Sequence, residues 1–375
     1  MIFLDNASTT AMCKEALEVY SRYSVDMFYN PSAPYNMASL VSLDIDSAKT
    51  DMLKKLSAPD NSKLIFTSGA TEANNTALLG ALNKSFKKVL ISVGEHSSVY
   101  VLASHIQSLG YTVELLPLNN LGQVDIDAFK DKMDKDVGLV AIMHVSNETG
   151  AINDIEQLVK LAKSVNPSCH FHCDGVQAMG KIAVKLSALD VDSYSFSAHK
   201  FHGPKGVGGL IYRKPIKPYI LGGGQQFGMR SGTENVASIM AMCKAFSIID
   251  VDARYKHVKA LNDAFREKLQ CVKGVTINSP INASPYVLSI SFEGVNGATL
   301  VNMLENFGIL IGTGSACSTK KQGNVTLEAM GVSTKHVLGS VRVSFCAFNT
   351  FEEVQTACQK IIEFYERLKK LSGVK

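Results

Sequence analysis

Lys200 lies in the segment SFSAHKFHGPKG, after an apolar run and before a glycine-rich turn. Read singly, a lysine in that place is a solvated surface group. Asp174 changes that reading, because it closes the apolar stretch HFHC, where an ionised carboxylate is costly without a positive partner. A pyridoxal cofactor needs both groups: a lysine amine for its Schiff base, and a carboxylate against its ring nitrogen so that the protonated ring can withdraw electrons. A third segment suits a phosphate. In Thr67-Ser68-Gly69-Ala70-Thr71-Glu72 a turn of small residues feeds a helical stretch, and a helix start presents unpaired N–H groups and the positive end of the dipole. Ordinary N-capping by Ser68 or Thr71 accounts for the same residues equally well. Neither G-x-x-x-x-G-K-[ST] nor G-x-G-x-x-G occurs, so a nucleotide site lacks its usual support.

One cysteine stands apart from the other seven. Cys317 sits in IGTGSACSTKKQGNVT, a segment of small and polar residues with two lysines close by and no hydrophobic period, which reads as a loop. A thiol in an exposed, electropositive loop can become a thiolate nucleophile, which a buried structural cysteine cannot. The remaining cysteines are dispersed through a long chain and read as reduced thiols. Cys243 in IMAMCKAF and Cys346 in VSFCAF read as small core residues. Cys169-His170-Phe171-His172-Cys173 invites a metal, but alternate residues of a strand face opposite ways, so these four donors cannot converge.

The elements that must position these groups alternate along the chain. Short apolar or β-branched runs at 63–68, 88–92, 112–117, 138–145, 170–174, 193–198 and 208–213 read as strands, and the stretches EANNTALLGALNKS and IEQLVKLAKSV between them as amphipathic helices. That alternation predicts an α/β fold with a mostly parallel seven-stranded sheet and helices on its faces. Polar motifs follow the strands: SGATE, GEHSS, SNETG, DGVQ and AHK. Catalytic residues of such sheets gather at the carboxyl ends of strands. From about Val251 the pattern changes to a long charged helix, strands such as VLSISF and VRVSF, and the closing helix EEVQTACQKIIEFYERLKKL, which predicts a smaller α+β domain.

Composition narrows the class of protein. The 375 residues are 46% apolar and 19% charged, enough for a large core, and 38 basic against 34 acidic residues leave a net charge of +4 without a basic block that would favour nucleic acid. MIFLDNASTT lacks the pattern of a secretory leader and no run approaches 18 uninterrupted apolar residues, so a soluble cytoplasmic protein without membrane contact is expected.

Taken together, TSGATE, EHSS, HVSNETG, DGVQ, SFSAHKFHGPKG, MRSGTEN and GSACS occur in the order and spacing of the cysteine desulfurases, and the chain resembles that family of fold type I, class V aminotransferase-like enzymes from LDNASTT to VRVSF. The resemblance implies pyridoxal 5'-phosphate as cofactor, held covalently by Lys200, with Asp174 at the ring nitrogen, Gln177 at the ring oxygen and His96 stacked on the ring. It assigns the phosphate to the Ala70 backbone, Thr71, Ser197 and His199, with Thr233 supplied by a second subunit of a homodimer. It gives the carboxylate of the substrate, L-cysteine, to Arg342 with help from Asn147, and the sulfur to Cys317 as a persulfide, with alanine as the other product. It implies a large domain at 12–252 and a small one formed by 1–11 and 253–375. GSACS followed by about ten residues resembles the long-loop members, which pass sulfur to an acceptor such as an iron–sulfur scaffold or a tRNA-thiolation protein. Tyr35-Asn36, Leu221 and the FCAFN segment depart from the family's usual residues. A selenocysteine lyase, a plain class V aminotransferase and a non-catalytic assembly scaffold are the alternative readings.

Overall fold

The protein is described by a computed structural model covering residues 1–314 and 324–371. Strand β1 (Ile2–Leu4) belongs to a small sheet. The next seven strands, β2 (Lys63–Thr67), β3 (Lys88–Ser92), β4 (Thr112–Leu116), β5 (Val137–Ala141), β6 (His170–Asp174), β7 (Ser193–Ser197) and β8 (Gly208–Tyr212), build the large one. Its order is β2-β8-β7-β6-β5-β3-β4. Only β8 runs against its neighbours, pairing antiparallel with both β2 and β7. The mostly parallel seven-stranded sheet expected from the sequence is therefore present.

Both faces of this sheet are covered, which is why its strands read as nearly continuous apolar runs. Leu64 and Phe66 pack into one core, Ile65 into the other. Leu90 likewise opposes Val89 and Ile91, and Val140 opposes Leu139 and Ala141. The helix Ile155–Val165 occupies the span its periodicity predicts, capped by Asp154 and burying Ile155, Leu158, Val159 and Ala162. Cys243 and Cys346 are buried, as their apolar surroundings suggested.

The small sheet adds β9 (Val275–Ile277), β10 (Val287–Phe292), β11 (Ile309–Thr313) and β12 (Ser340–Ser344) in the order β1-β11-β12-β10-β9. The helices Val251–Gln270, Gly297–Glu305 and Phe351–Leu371 supply its core, burying Phe265, Leu300 and Phe364 against Leu288, Val341 and Val343. Because Val341 and Val343 face that core, alternation turns Arg342 to the opposite side.

Three differences from the sequence reading have physical causes. The segment from Ile311, expected as loop throughout, begins inside β11 because Ile309, Leu310 and Ile311 pair with β1, a partner 307 residues away. Its far end forms a short helix at Val325–Ala329. The helices Lys14–Val25, Asn36–Lys55 and Val236–Ser247 were not foreseen. In Asn36–Lys55 the buried residues Ala38, Val41, Ile45 and Met52 have helical spacing, but exposed Leu40 and Leu43 break the apparent stripe.

Candidate active site

With β2, β3, β5, β6 and β7 parallel, their carboxyl ends open on one edge of the large sheet. A cavity of about 610 Å³ lies there, within the usual range for small-molecule sites. Ten of the twelve residues singled out in the sequence line it, all but Thr233 and Cys317. Thr233 is exposed on this chain. Cys317 lies outside the described residues.

One wall comes from the turn after β2. The helix Ala70–Ala81 points its first turn at the cavity, placing Ala70 and Thr71 beside Ser197 and His199. Two close approaches shape this turn. A Cβ on Gly208 would lie 2.4 Å from the Phe196 carbonyl oxygen and 2.8 Å from the Gly69 Cα, so only glycine lets β8 pass beneath. Glu72 then ties the turn down, accepting the Ser68 amide at 2.8 Å and Arg230 Nε at 2.9 Å. Burial works against an ionised Glu72, but Arg230 and Ser68 outweigh it and hold the carboxyl below its ordinary value. His199 shares a hydrogen bond with Thr9 Oγ1, and burial, with the charge of Lys200, lowers its pKa to about 4, so it is neutral at pH 7.

The floor is built around Asp174 at the end of β6. Its Oδ1 accepts the Val176 amide at 2.9 Å and its Oδ2 accepts Asn74 Nδ2 at 2.8 Å. Asn74 is itself fully engaged: Nδ2 also donates to Ser98 Oγ, while Oδ1 meets His172 Nε2 at 3.0 Å and accepts Ser195 Oγ at 2.5 Å. His172 and His170, two apart on β6, share one face and both bond Ser193 Oγ at 2.8 Å. Cys169, Phe171 and Cys173 take the other face and pack in the core, so the sequence CHFHC has no common focus. Burial drops His172 to about 3 and His170 to about 4, so this network is neutral. Glu95 lies behind it with Oε1 on the Met143 amide, and burial together with Asp174 raises its carboxyl well above the ordinary value. Both effects favour its neutral form.

His96 caps the short helix Ser97–Tyr100, its Nδ1 accepting the Ser98 amide at 3.2 Å, which leaves the neutral ring its proton on Nε2. Burial lowers its pKa; Asp174 opposes that shift and Lys200 adds to it. Lys200 donates from Nζ to the Ala7 and Ser8 carbonyls at 2.7 and 2.6 Å. Gln177 is oriented from both ends, Nε2 donating to the Ala7 carbonyl at 2.9 Å and Oε1 accepting Lys181 Nζ at 2.6 Å. Burial, and then the charge of Lys200, pulls the Lys181 ammonium down to about 7.

The remaining wall comes from the small sheet. Arg342 Nη2 lies 3.0 Å from Asp5 Oδ1, while Nη1 reaches the Asn147 carbonyl at 3.0 Å and Glu148 Oε1 at 3.4 Å. Asn147 Nδ2 donates to the same Glu148 oxygen at 2.7 Å. Sequence reasoning overlooked Asn74, Glu95, Glu148 and Lys181. A signal existed for Lys181, a charged residue in the otherwise small and apolar turn that follows Gln177, and for Glu148 and Glu95, which adjoin Asn147 and His96 inside recognised motifs. Asn74 carried none.

The chain matches the class-V aminotransferase family over residues 2–356. It is 36% identical over 384 residues to a cysteine desulfurase IscS of Dictyoglomus turgidum, covering 100% of this chain and 97% of that protein. Among solved structures it is similar to a NifS-like protein, with a TM-score of 0.91 and 34% identity over 98% of this chain and 99% of the other. A structure described as SspA in complex with cysteine superposes with a TM-score of 0.82 at 26% identity, covering 93% and 100% of the two chains.

Proposed function

The chain belongs to the class-V aminotransferase family, among the NifS- and IscS-type cysteine desulfurases, and from that premise we propose that it converts L-cysteine to L-alanine, leaving the sulfur as a persulfide on Cys317. It is an enzyme with the fold type I architecture, and members of its family depend on pyridoxal phosphate. The observation that carries the reading is that Lys200, Asp174 and Arg342, from three separate parts of the sequence, line one cavity.

The residues fit that cofactor. Asp174 is a buried carboxylate whose two oxygens accept from the neutral Asn74 and Val176 donors, a setting suited to a cationic ring nitrogen. The helix start at Ala70 and Thr71, with Ser197 and His199, suits a phosphate. Gln177 and His96 supply the ring-oxygen contact and the stacking face, and Thr233 serves the site of the second subunit in a homodimer. Bound there, pyridoxal phosphate supplies an aldehyde for amines and a ring that withdraws electrons.

The chain's own residues do the rest. Arg342 grips the substrate carboxylate with two parallel N–H donors, and Asn147 helps to orient it. Lys200 Nζ holds the cofactor, then takes the proton from the substrate Cα and returns one there after the sulfur has left. The Cys317 thiolate bonds to the substrate sulfur as the Cβ–S bond breaks; the carbon keeps the electron pair and gains a proton, which yields alanine. We read the persulfide as passing to an acceptor in the cytoplasm, an iron–sulfur scaffold or a tRNA-thiolation protein.

Cys317→Ser tests this. With L-cysteine, the wild type should form alanine and protein-bound persulfide, whereas the variant should keep its cofactor and form neither. Undiminished alanine would make Cys317 a bystander.

A further inference from the structure

Arg342 is already paired with acids. Asp5 approaches Nη2 at 3.0 Å, and Glu148 approaches Nη1 at 3.4 Å, the longer of the two ion pairs. A substrate carboxylate at the same guanidinium would be the third acid around one cation. Like charges that close cannot all remain ionised in a poorly solvated site, so one of the three must leave or take a proton.

The surroundings select Glu148. Both acids are similarly enclosed, but Glu148 alone is tied to Asn147 and Asn324 through both of its oxygens. The groups that face it are Arg342 and Asp5 as charges and Asn147 and Asn324 as neutral donors. Asn324 Nδ2 holds Oε2 at 2.9 Å and also meets the Gly314 carbonyl, so Glu148 keeps a firm partner when Oε1 gives up Nη1. Burial raises the Glu148 carboxyl above its ordinary value even against the pull of Arg342, which favours its taking up a proton.

We propose that Glu148 is a positioning residue that holds Arg342 in the resting protein and yields it to the carboxylate of the incoming amino acid, taking up one proton from solvent as it does so. The inference rests on the reading of Arg342 as the substrate-carboxylate site. It makes the affinity for α-amino acids fall as pH rises, with a slope of up to tenfold per unit beyond steps that the substrate amine and cofactor contribute.

The test uses the holoenzyme and L-alanine, which has the carboxylate and amine but no reactive sulfur. Its apparent Kd is measured by visible absorbance from pH 7 to 9 for wild type, Glu148→Gln, Asp5→Asn and Arg342→Ala. Steps common to all proteins cancel in the comparison. Wild type and Asp5→Asn should share the steeper slope, while Glu148→Gln should be flatter by up to one logarithmic unit per pH unit. Equal slopes in wild type and Glu148→Gln would overturn the inference. Arg342→Ala should weaken alanine by roughly 100-fold; if it does not, the reading of the site itself fails. A measurement on the wild type alone guards against a misfolded variant. Binding of 3-mercaptopropionate, a carboxylate without an amine, should take up about one proton when followed calorimetrically in buffers of different ionisation enthalpy. No uptake would also refute the inference.

Discussion

Asp174 and Arg342 face one cavity from opposite sheets, yet they are held in opposite ways. The Asp174 carboxylate is fixed by neutral donors, and Asn74 is bound in turn by His172, Ser195 and Ser98. The Arg342 guanidinium is held by two acids, Asp5 and Glu148, of opposite charge to its own. Satisfied, buried hydrogen bonds make a rigid seat, which suits a group that stays. Charges that compensate one another can be re-paired by a competitor of the same sign, which suits a molecule that comes and goes.

Acid should break the floor around Asp174 through its neutral histidines, which include His144, whose amide donates to the Asp174 carbonyl. His144 and His170 are pulled by burial to about 4 and His172 to about 3, against about 6.5 in an unfolded chain. Each therefore binds its proton less well when folded. The stability they contribute is present above pH 6.5 and is lost as pH falls toward 4 and then 3, at about 1.4 kcal/mol per pH unit for each proton taken up on unfolding. His199 and His202, also pulled to about 4, titrate in the same sense and buried Glu95 in the opposite one, so urea unfolding of the apoprotein between pH 7 and 5 should show a net loss of several such contributions. A flat profile would mean that these histidines are not neutral in the fold.

A loss should also follow from Asn74→Leu, which removes the shared partner of Asp174, His172, Ser195 and Ser98. Each buried group left unsatisfied costs about 1–3 kcal/mol. Chemical denaturation of the apoprotein measures this, and a loss below about 1 kcal/mol would show that the network is not what fixes Asp174.

The Arg342 wall should respond in binding rather than folding. Arg342→Lys keeps the charge but loses the bidentate grip, so KM for L-cysteine should rise roughly 10- to 100-fold, with a lesser change in kcat. This is about 1.4–2.7 kcal/mol of binding. An unchanged KM in steady-state alanine production would remove the substrate carboxylate from this residue.

The sequence reading reached Lys200 and Asp174 because each follows an apolar strand, and Gln177 through the resemblance that DGVQ helps to carry. It missed Asn74 because nothing in TEANN says that its first asparagine will turn inward onto a strand 100 residues later. Strand β11 was lost for the same reason: its edge is completed by β1, and pairing between distant segments has no local periodicity.

What the sequence determined by itself is the set of elements and the residue types at their ends. Apolar runs of five residues separated by amphipathic stretches can be buried efficiently only in a doubly covered sheet, and the motifs must then collect on its carboxyl edge. What only the tertiary structure decided is which groups share a field. Glu148 and Asp5 lie 143 positions apart, and they acquire a joint role because folding brings both against Arg342 where water screens little. The ionisation of any one of them is set by the other two, and that dependence exists in no single segment of the chain.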